Sequence, residues 1–138
     1  MGHSFVKFRD RMELMPDSDV IIIVHVILDV SRKDSNSVQL TDNVKALLDY
    51  WNSLLDVYGP GCLRLNLDKF ILTEADRKSL LGLVRSAKNT IESFGSTVSV
   101  SYLNNIVDAP AILEFYDRPT AEVLVAFDKF TELFKDEP

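Results

Sequence analysis

The chain has one cysteine, Cys62, and two histidines, His3 and His25, among its 138 residues. A single thiol excludes an internal disulfide, and one cysteine with two histidines is too small a set for the usual four-ligand zinc site. Chains without disulfides are typical of reducing compartments. We therefore expect a cytoplasmic protein with no metal and no other cofactor.

Long apolar runs and an excess of positive charge are missing as well. The longest apolar run covers residues 20–28 and is far shorter than the ~20 residues that a membrane-spanning helix needs. Five charged residues within positions 7–13 argue against a signal peptide. Fifteen basic against 21 acidic residues give a formal net charge of −6. Because phosphate contacts need clustered Lys and Arg, we expect neither a nucleic acid nor a membrane as partner.

Common enzyme motifs are the third absence. The sequence contains no Walker motif, no dinucleotide fingerprint, no zinc-protease motif and no nucleophile elbow. What remains is an ordinary globular composition, with 46% hydrophobic and 26% charged residues. The missing motifs favour a binding protein over an enzyme of a common class.

The Val- and Ile-rich segment 20–30 is short and flanked by polar residues, which favours a strand over a helix. Because both of its faces are apolar, it predicts a central strand covered on both sides. The preceding segment, 4–15, fits either a helix or a strand, and we favour a strand. Leu alternates with polar residues over 62–68, which is typical of a strand with one solvated face. Two further strands are predicted from "STVSVSYL" (96–103) and "AILEFY" (111–116).

Two segments between these strands have the periodicity of amphipathic helices. The first can begin at a Thr41 cap and end at Gly59, which is followed by a proline. The second opens with a capping box of Thr73 and Asp76 and stops at Gly95. The sequence therefore predicts both the first and the last turn of each helix.

A third helix is predicted from near Pro119, a residue suited to a first helical turn, to about Lys135. Its apolar residues cover roughly 180°, which is wider than one contact face requires. One interpretation is a helix packed deep in the core. The other is an exposed Phe-rich surface that binds a partner or forms a homodimer. The apolar residues on this half of the helix surface are Val123, Leu124, Ala126, Phe127, Phe130, Leu133 and Phe134. Val125 is a further apolar residue outside that half.

The predicted elements follow the order β, α, β, α, β, β, α, with an extra strand at the N-terminus. Helices of this length between strands imply right-handed crossovers and a mixed or largely parallel sheet. No repeat or linker divides residues 1–138. We therefore predict a single compact α/β domain of about four or five strands and three helices.

His25 is the one ionisable residue in the apolar run at 20–28. In a strand it would share a face with Asp29 at a distance of about 13 Å, four residues at ~3.3 Å each, which is too far for a hydrogen bond. In a helix the same two residues would be neighbours. We interpret His25 as a neutral core residue with one hydrogen-bond partner.

Two aspartates lie at the ends of predicted strands, where open α/β sheets bind ligands. Asp29 and Asp68, together with His25, form an alternative site in which carboxylates bind a divalent cation or act as acid and base. That site would make the chain a small enzyme or ligand-binding domain. Each aspartate can equally cap a turn or the start of a helix.

The first predicted helix has an aspartate at every seventh position, Asp42, Asp49 and Asp56, opposite its apolar residues. Such a row is either an ordinary solvated face or a docking surface for a basic protein. In the second helix Leu81 points away from the apolar stripe. We take these four residues as the candidate partner-binding site.

Residues 62–103 resemble the STAS regulatory domains of anti-sigma-factor antagonists. In both, a hydrophobic strand leads through a short loop into a helix that ends in glycine and then into a further strand. The resemblance implies a regulatory domain that exchanges partners within a signalling complex. In that family the loop carries a phosphorylatable serine between Asp and Gly, whereas "LTEADRKSLLG" here places Ser79 inside the predicted helix.

The acidic balance, the missing motifs and the aspartate row together favour a non-enzymatic protein-binding module. We expect it to recognise, and to regulate or inhibit, a basic protein, as an immunity protein does with a nuclease-like toxin. Such a target is basic because it holds nucleic acid, so an acidic inhibitor gains association rate and specificity. The small enzyme or ligand-binding domain and the STAS-like regulatory domain are the alternatives.

Overall fold

The computed structural model describes residues 3–33, 39–54, 64–99, 102 and 118–135. That part of the chain is mostly helical, with 66% helix, five helices and two small antiparallel two-stranded sheets. The predicted α/β fold, a mixed or largely parallel sheet of four or five strands with three helices, is therefore wrong. In chain order the elements are β1 (His3–Phe8), β2 (Arg11–Pro16), α1 (Asp17–Lys33), α2 (Asp42–Leu54), α3 (Leu67–Phe70), α4 (Glu74–Glu92), β3 (Thr97–Val98), β4 (Arg118–Pro119) and α5 (Thr120–Glu132).

The central helix, α1, occupies the segment for which the sequence predicts a strand. It packs against α2, α4, α5 and both strands of the β1–β2 hairpin, and residues 20–28 are buried without a break. A helix that is apolar on every side lacks the 3.6-residue period that separates helix from strand. Its ends do carry a helical signal. Asp17 and Asp19 lie in the first turn and Arg32 and Lys33 in the last, where each charge complements the helix dipole.

Helices α2 and α4 are confirmed together with their N-terminal caps. Thr41 Oγ1 accepts the Val44 N–H at 3.2 Å. Thr73 and Asp76 form the predicted capping box, with a 3.1 Å bond from the Asp76 N–H to Thr73 Oγ1. Beyond α4, Gly95 has φ 81°, a left-handed conformation that glycine adopts without strain. The buried apolar residues are Val44, Leu47, Leu48 and Trp51 in α2 and Leu80, Leu83, Val84, Ala87 and Ile91 in α4.

The strand predicted over 62–68 is wrong in the part that the structure describes, although its alternating burial is right. Leu65 and Leu67 are buried, whereas the residues on either side of Leu65 face solvent. Trp51 Nε1 donates to the Leu65 carbonyl at 3.0 Å, so a side chain takes the place of a neighbouring strand. Asn66 then adopts φ 54°, and the chain continues into α3.

The C-terminal strands are short where the structure describes them. β3 confirms Thr97 and Val98 of the strand predicted over 96–103, and it pairs antiparallel with β4. Tyr102 is helical, so the predicted strand is wrong at that position. The strand predicted over 111–116 and the end of the first predicted helix, beyond residue 54, lie outside the described residues.

Helix α5 confirms the third predicted helix, which begins directly after Pro119. Phe127, Phe130 and Phe134 are all buried, so these side chains belong to the core rather than to an exposed surface. Val125 is the one large hydrophobic residue of the helix that is exposed, at 54%. Within the described ranges, no helix combines the length and the apolar character that a membrane span requires.

Candidate docking surface

The N-terminal hairpin has one face in the core and one in solvent. The sequence predicts a single N-terminal strand here, and the structure has two, β1 and β2, paired antiparallel. Every second residue of β1 is buried, beginning with Ser4. Phe5 and Lys7 therefore face outward, because successive side chains alternate between the two faces of a strand. On β2, Leu14 lies directly opposite Phe5, and Met12 lies opposite Lys7.

Phe5, Met12 and Leu14 form an exposed apolar surface, which we call the hairpin patch. These residues are 60%, 58% and 50% exposed. Two other large hydrophobic residues in the described ranges, Leu72 and Val125, are exposed to a similar degree, and both lie outside the hairpin. Single exposed apolar residues are ordinary, whereas several on one face mark an interaction site.

A groove of about 380 Å³ opens beside the patch, and we call it the hairpin groove. One wall comes from β1 and β2 and the other from segment 64–69. Among the described residues, three cations line it, Lys7, Arg64 and Lys69, against a single carboxylate, Asp68. The chain as a whole has a net charge of −6, so this cationic lining departs locally from the overall charge.

Tertiary contacts hold the two walls of the groove. Asp68 Oδ1 accepts the N–H of Arg9, in the hairpin turn, at 2.8 Å. Arg9 has φ 55° and Asn66, on the other wall, has φ 54°. Left-handed conformations of residues other than glycine persist where the surroundings impose them, often at functional sites. The Arg9 guanidinium also lies 4.9 Å from the centroid of the Phe8 ring, a cation–π contact.

The predicted aspartate row is placed only in part. Asp42 and Asp49 are exposed on α2, and neither forms an ion pair with a described residue. Asp56 lies outside the described residues. Leu81 is half-buried and packs against the core, so it is not the outward-pointing side chain that the sequence suggests.

Helix α1 brings His25 and Asp29 one turn apart, whereas a strand would separate them. His25, Asp29 and Lys33 follow one another at four-residue intervals and share one face of the helix. Asp29 Oδ2 accepts the Tyr102 hydroxyl at 3.0 Å and lies 3.2 Å from Lys33 Nζ. Burial, then the charge of Asp29 and its hydrogen bond, raises the pKa of Tyr102 well above its ordinary value. His25 itself is 8% exposed and lies in the core.

The alternative carboxylate site loses its structural basis. Asp29 lies in α1 and Asp68 in α3, so neither stands at the end of a strand. Asp29 binds Tyr102, and Asp68 binds the N–H of Arg9. Among the residues that the structure describes, no three His, Cys, Asp or Glu side chains are placed to hold a metal ion.

Asp76 is a buried carboxylate with a structural role, at 2% exposure. It accepts hydrogen bonds from Asn43 Nδ2 at 2.9 Å and from the N–H groups of Leu72 and Thr73, each at 3.1 Å. Burial by itself raises the pKa of Asp76. These bonds and one from Thr41 outweigh burial and hold the pKa well below its ordinary value. The carboxylate thus joins the N-terminal ends of α2 and α4.

Ser79, the serine nearest to the phosphorylatable position of the STAS resemblance, is also buried. Its hydroxyl donates to the Gln39 carbonyl at 3.1 Å and accepts the Thr41 N–H at 3.3 Å. It therefore connects α4 to the segment before α2. In addition, α3 occupies part of the segment in which the resemblance requires a strand.

Comparison of the chain with protein-family models, with curated proteins and with solved structures found no match. The hairpin patch is the feature that sequence reasoning misses. As one continuous strand, residues 4–15 would place Phe5 and Leu14 on opposite faces, because an odd number of positions separates them. The two-residue turn brings both side chains to the same face.

Proposed function

We propose that this chain is a non-enzymatic protein-binding module that binds a segment of another protein through the hairpin patch. One observation carries the proposal: Phe5, Met12 and Leu14 are between 50% and 60% exposed on one face, while the other face of the hairpin is in the core. Covering apolar surface is favourable by about 25 cal/mol per Å², so a partner seated on this face gains free energy. We also place the protein in the cytoplasm, in keeping with its single cysteine.

Peptide display tests this proposal. A library of short random peptides is selected in parallel on the wild-type chain and on Leu14→Ser, in which one apolar residue of the patch becomes polar. Leu72→Ser is the matched control, because Leu72 is 62% exposed and lies outside the hairpin. We expect peptides that the wild type and the control retain and Leu14→Ser does not. Equal enrichment on all three proteins, or none on the wild type, would contradict the proposal.

A second candidate function is the binding of a basic protein through the acidic face of α2. Asp42 and Asp49 favour it, because both are exposed and neither is paired with a cation in the described ranges. Asp56 continues the row in the sequence. An inhibitor or immunity protein against a nuclease-like toxin would use such a face to attract its target.

Association kinetics test the second candidate. Surface plasmon resonance with a panel of purified basic nucleases compares the wild type with an Asp42→Lys/Asp49→Lys variant. Charge reversal should slow association, as added salt does. Glu122→Lys, at an exposed position of α5, is the control and should leave the rate unchanged. Equal association rates in all three proteins, or no binding to any nuclease, would rule this candidate out.

A further inference from the structure

We infer that the hairpin groove selects a partner segment that is both acidic and hydrophobic, with Asp or Glu beside Leu or Phe. This inference rests on the function proposed above, because it specifies the chemistry of the segment that covers the hairpin patch. It does not involve the acidic face of α2, which would attract charge of the opposite sign.

The lining of the groove determines which charge it accepts. Lys7, Arg64 and Lys69 are exposed, and none forms an ion pair with any residue in the described part of the chain. Asp68, the one carboxylate among the described residues of the lining, already accepts a hydrogen bond at Oδ1 from the N–H of Arg9. The described lining therefore has a net positive charge that favours carboxylate side chains.

Apolar side chains accompany these cations. Leu65 and Leu67 line one wall at 4% and 1% exposure, and Phe5 and Met12 belong to the other. An apolar side chain in the groove can thus be covered from both walls while a neighbouring carboxylate reaches a cation. The volume of about 380 Å³ lies within the ~300–1,000 Å³ typical of binding clefts, which suits a few side chains.

A protein segment fits these features better than other occupants do. A small acidic amphipathic molecule would fill the groove but leave Leu14 uncovered, because Leu14 is not part of the groove lining. A second copy related by a twofold axis would place the same cationic face against itself, and like charges oppose that contact. A flat anionic membrane would not enter the groove, and it would repel a chain with a net charge of −6.

The walls are held in place before a partner binds. The bond between Asp68 and the Arg9 N–H connects the hairpin turn to α3. The bond from Trp51 Nε1 holds the Leu65 carbonyl from the core side. A groove whose walls are already positioned loses less conformational entropy on binding, which favours affinity and selectivity.

Fluorescence anisotropy with defined peptides tests the inference. The probe is a fluorescein-labelled peptide that contains Glu and Leu in alternation. Two matched peptides replace every Glu by Lys or every Leu by Ser. We expect the Glu–Leu peptide to bind on the order of tenfold more tightly than either, because it satisfies both the cations and the apolar walls. Its affinity should fall as salt is added.

Charge reversal in the groove provides a second readout. Lys7→Glu and Lys69→Glu should each weaken binding of the Glu–Leu peptide and strengthen binding of the Lys–Leu peptide. Lys45→Glu, at an exposed position of α2, is the matched control and should change neither. Since the two groove variants lie on different walls, one of them remains informative if the other fails to fold.

The possible outcomes separate this inference from the proposed function. If the Lys–Leu peptide binds as tightly as the Glu–Leu peptide and Leu14→Ser loses both, the protein-binding function stands and the charge preference is wrong. If no peptide binds the wild type better than Leu14→Ser, both fail. The inference is also overturned if Leu14→Ser dissociates a dimer seen in analytical ultracentrifugation, or if it abolishes binding to phosphatidylserine vesicles.

Discussion

The backbone N–H of Arg9 and Oδ1 of Asp68 lie 2.8 Å apart, although 59 positions separate the two residues in the chain. Their hydrogen bond connects the hairpin turn with α3. It thereby joins the hairpin, whose strands supply one wall of the hairpin groove, to segment 64–69, which supplies the other. The bond also supports the left-handed backbone of Arg9, at φ 55°, which residues other than glycine seldom adopt. The shape of the groove therefore depends in part on this exposed hydrogen bond.

Removing the acceptor should make the hairpin turn more mobile. Asp68→Ala is expected to lower the free energy of unfolding by about 1 kcal/mol and to speed hydrogen exchange at the Arg9 amide. Asp68→Asn keeps an oxygen at the same place and should retain most of that stability. Urea unfolding measures the free energy, and NMR measures the exchange. Identical exchange at Arg9 in the wild type and in Asp68→Ala would refute the prediction.

Two phenylalanines on β1 should respond differently to truncation. Phe8 is 1% exposed and its ring centroid lies 4.7 Å from that of Phe134, so Phe8→Ala should lower the free energy of unfolding by about 3–5 kcal/mol. Phe5 is 60% exposed, and Phe5→Ala should change the free energy of unfolding by less than about 0.5 kcal/mol. Urea unfolding of both variants provides the comparison. Similar losses in the two would mean that the inner and outer faces of β1 are assigned incorrectly.

Stability in acid should depend on Asp76. Its hydrogen bonds hold the folded-state pKa below the ordinary value, which is about 3.9 in an unfolded chain. The contribution of the Asp76 carboxylate to the free energy of unfolding is therefore complete above a pH of about 4. It is lost as the pH falls below this value, because the unfolded state then binds the proton more readily than the folded state does. Asp76→Asn should be about 2–3 kcal/mol less stable than the wild type at neutral pH, and this difference should shrink in acid.

Urea unfolding at a series of pH values measures that difference. Asp49→Asn, at an exposed position in the middle of α2, is a control for the loss of one negative charge. The prediction is wrong if the difference in the free energy of unfolding between Asp76→Asn and the wild type stays constant into strong acid. In that case the hydrogen bonds would not stabilise the charge of the carboxylate.

Stability in alkali should depend on Tyr102. Burial, followed by the charge and hydrogen bond of Asp29, raises the pKa of Tyr102 above the value of about 10 in an unfolded chain. The contribution of the neutral Tyr102 hydroxyl to the free energy of unfolding is therefore complete below a pH of about 10, and it declines as the pH rises above this value. Tyr102→Phe should lower the free energy of unfolding by about 1 kcal/mol below that pH and reduce the alkaline decline. The prediction fails if the wild type and the variant lose stability equally above that pH.

Helix α4 is predictable from the sequence because its signals are local. The capping box of Thr73 and Asp76 lies within four positions, and Gly95 follows the last turn. Its burial is one-sided, so the apolar residues keep the helical period. Helix α1 lacks these advantages, since its neighbours cover residues 20–28 completely and the apolar period disappears. Only the charges in its end turns indicate a helix.

The candidate site is less predictable because distant residues determine the backbone of both walls. The Leu65 carbonyl is bound by Trp51, so alternating residues that resemble a strand occur without a neighbouring strand. The hairpin turn contains Arg9 rather than glycine or asparagine, and its conformation is supported by Asp68. Local turn rules do not detect such a turn. The alternating burial around Leu65 and Leu67 could be inferred from the sequence, whereas the exposure of Phe5, Met12 and Leu14 on one face could not.

Trp51 is the only tryptophan in the chain, and its indole is buried at 0% exposure. Its N–H donates to the carbonyl of Leu65, which lines the hairpin groove. The intrinsic tryptophan fluorescence of the protein therefore comes from one shielded position directly behind the candidate binding surface. A segment that displaces Leu65 on binding would alter the hydrogen bond and the emission of this indole. Binding that shifts Leu65 can therefore be followed by the intrinsic fluorescence of Trp51, without an attached label.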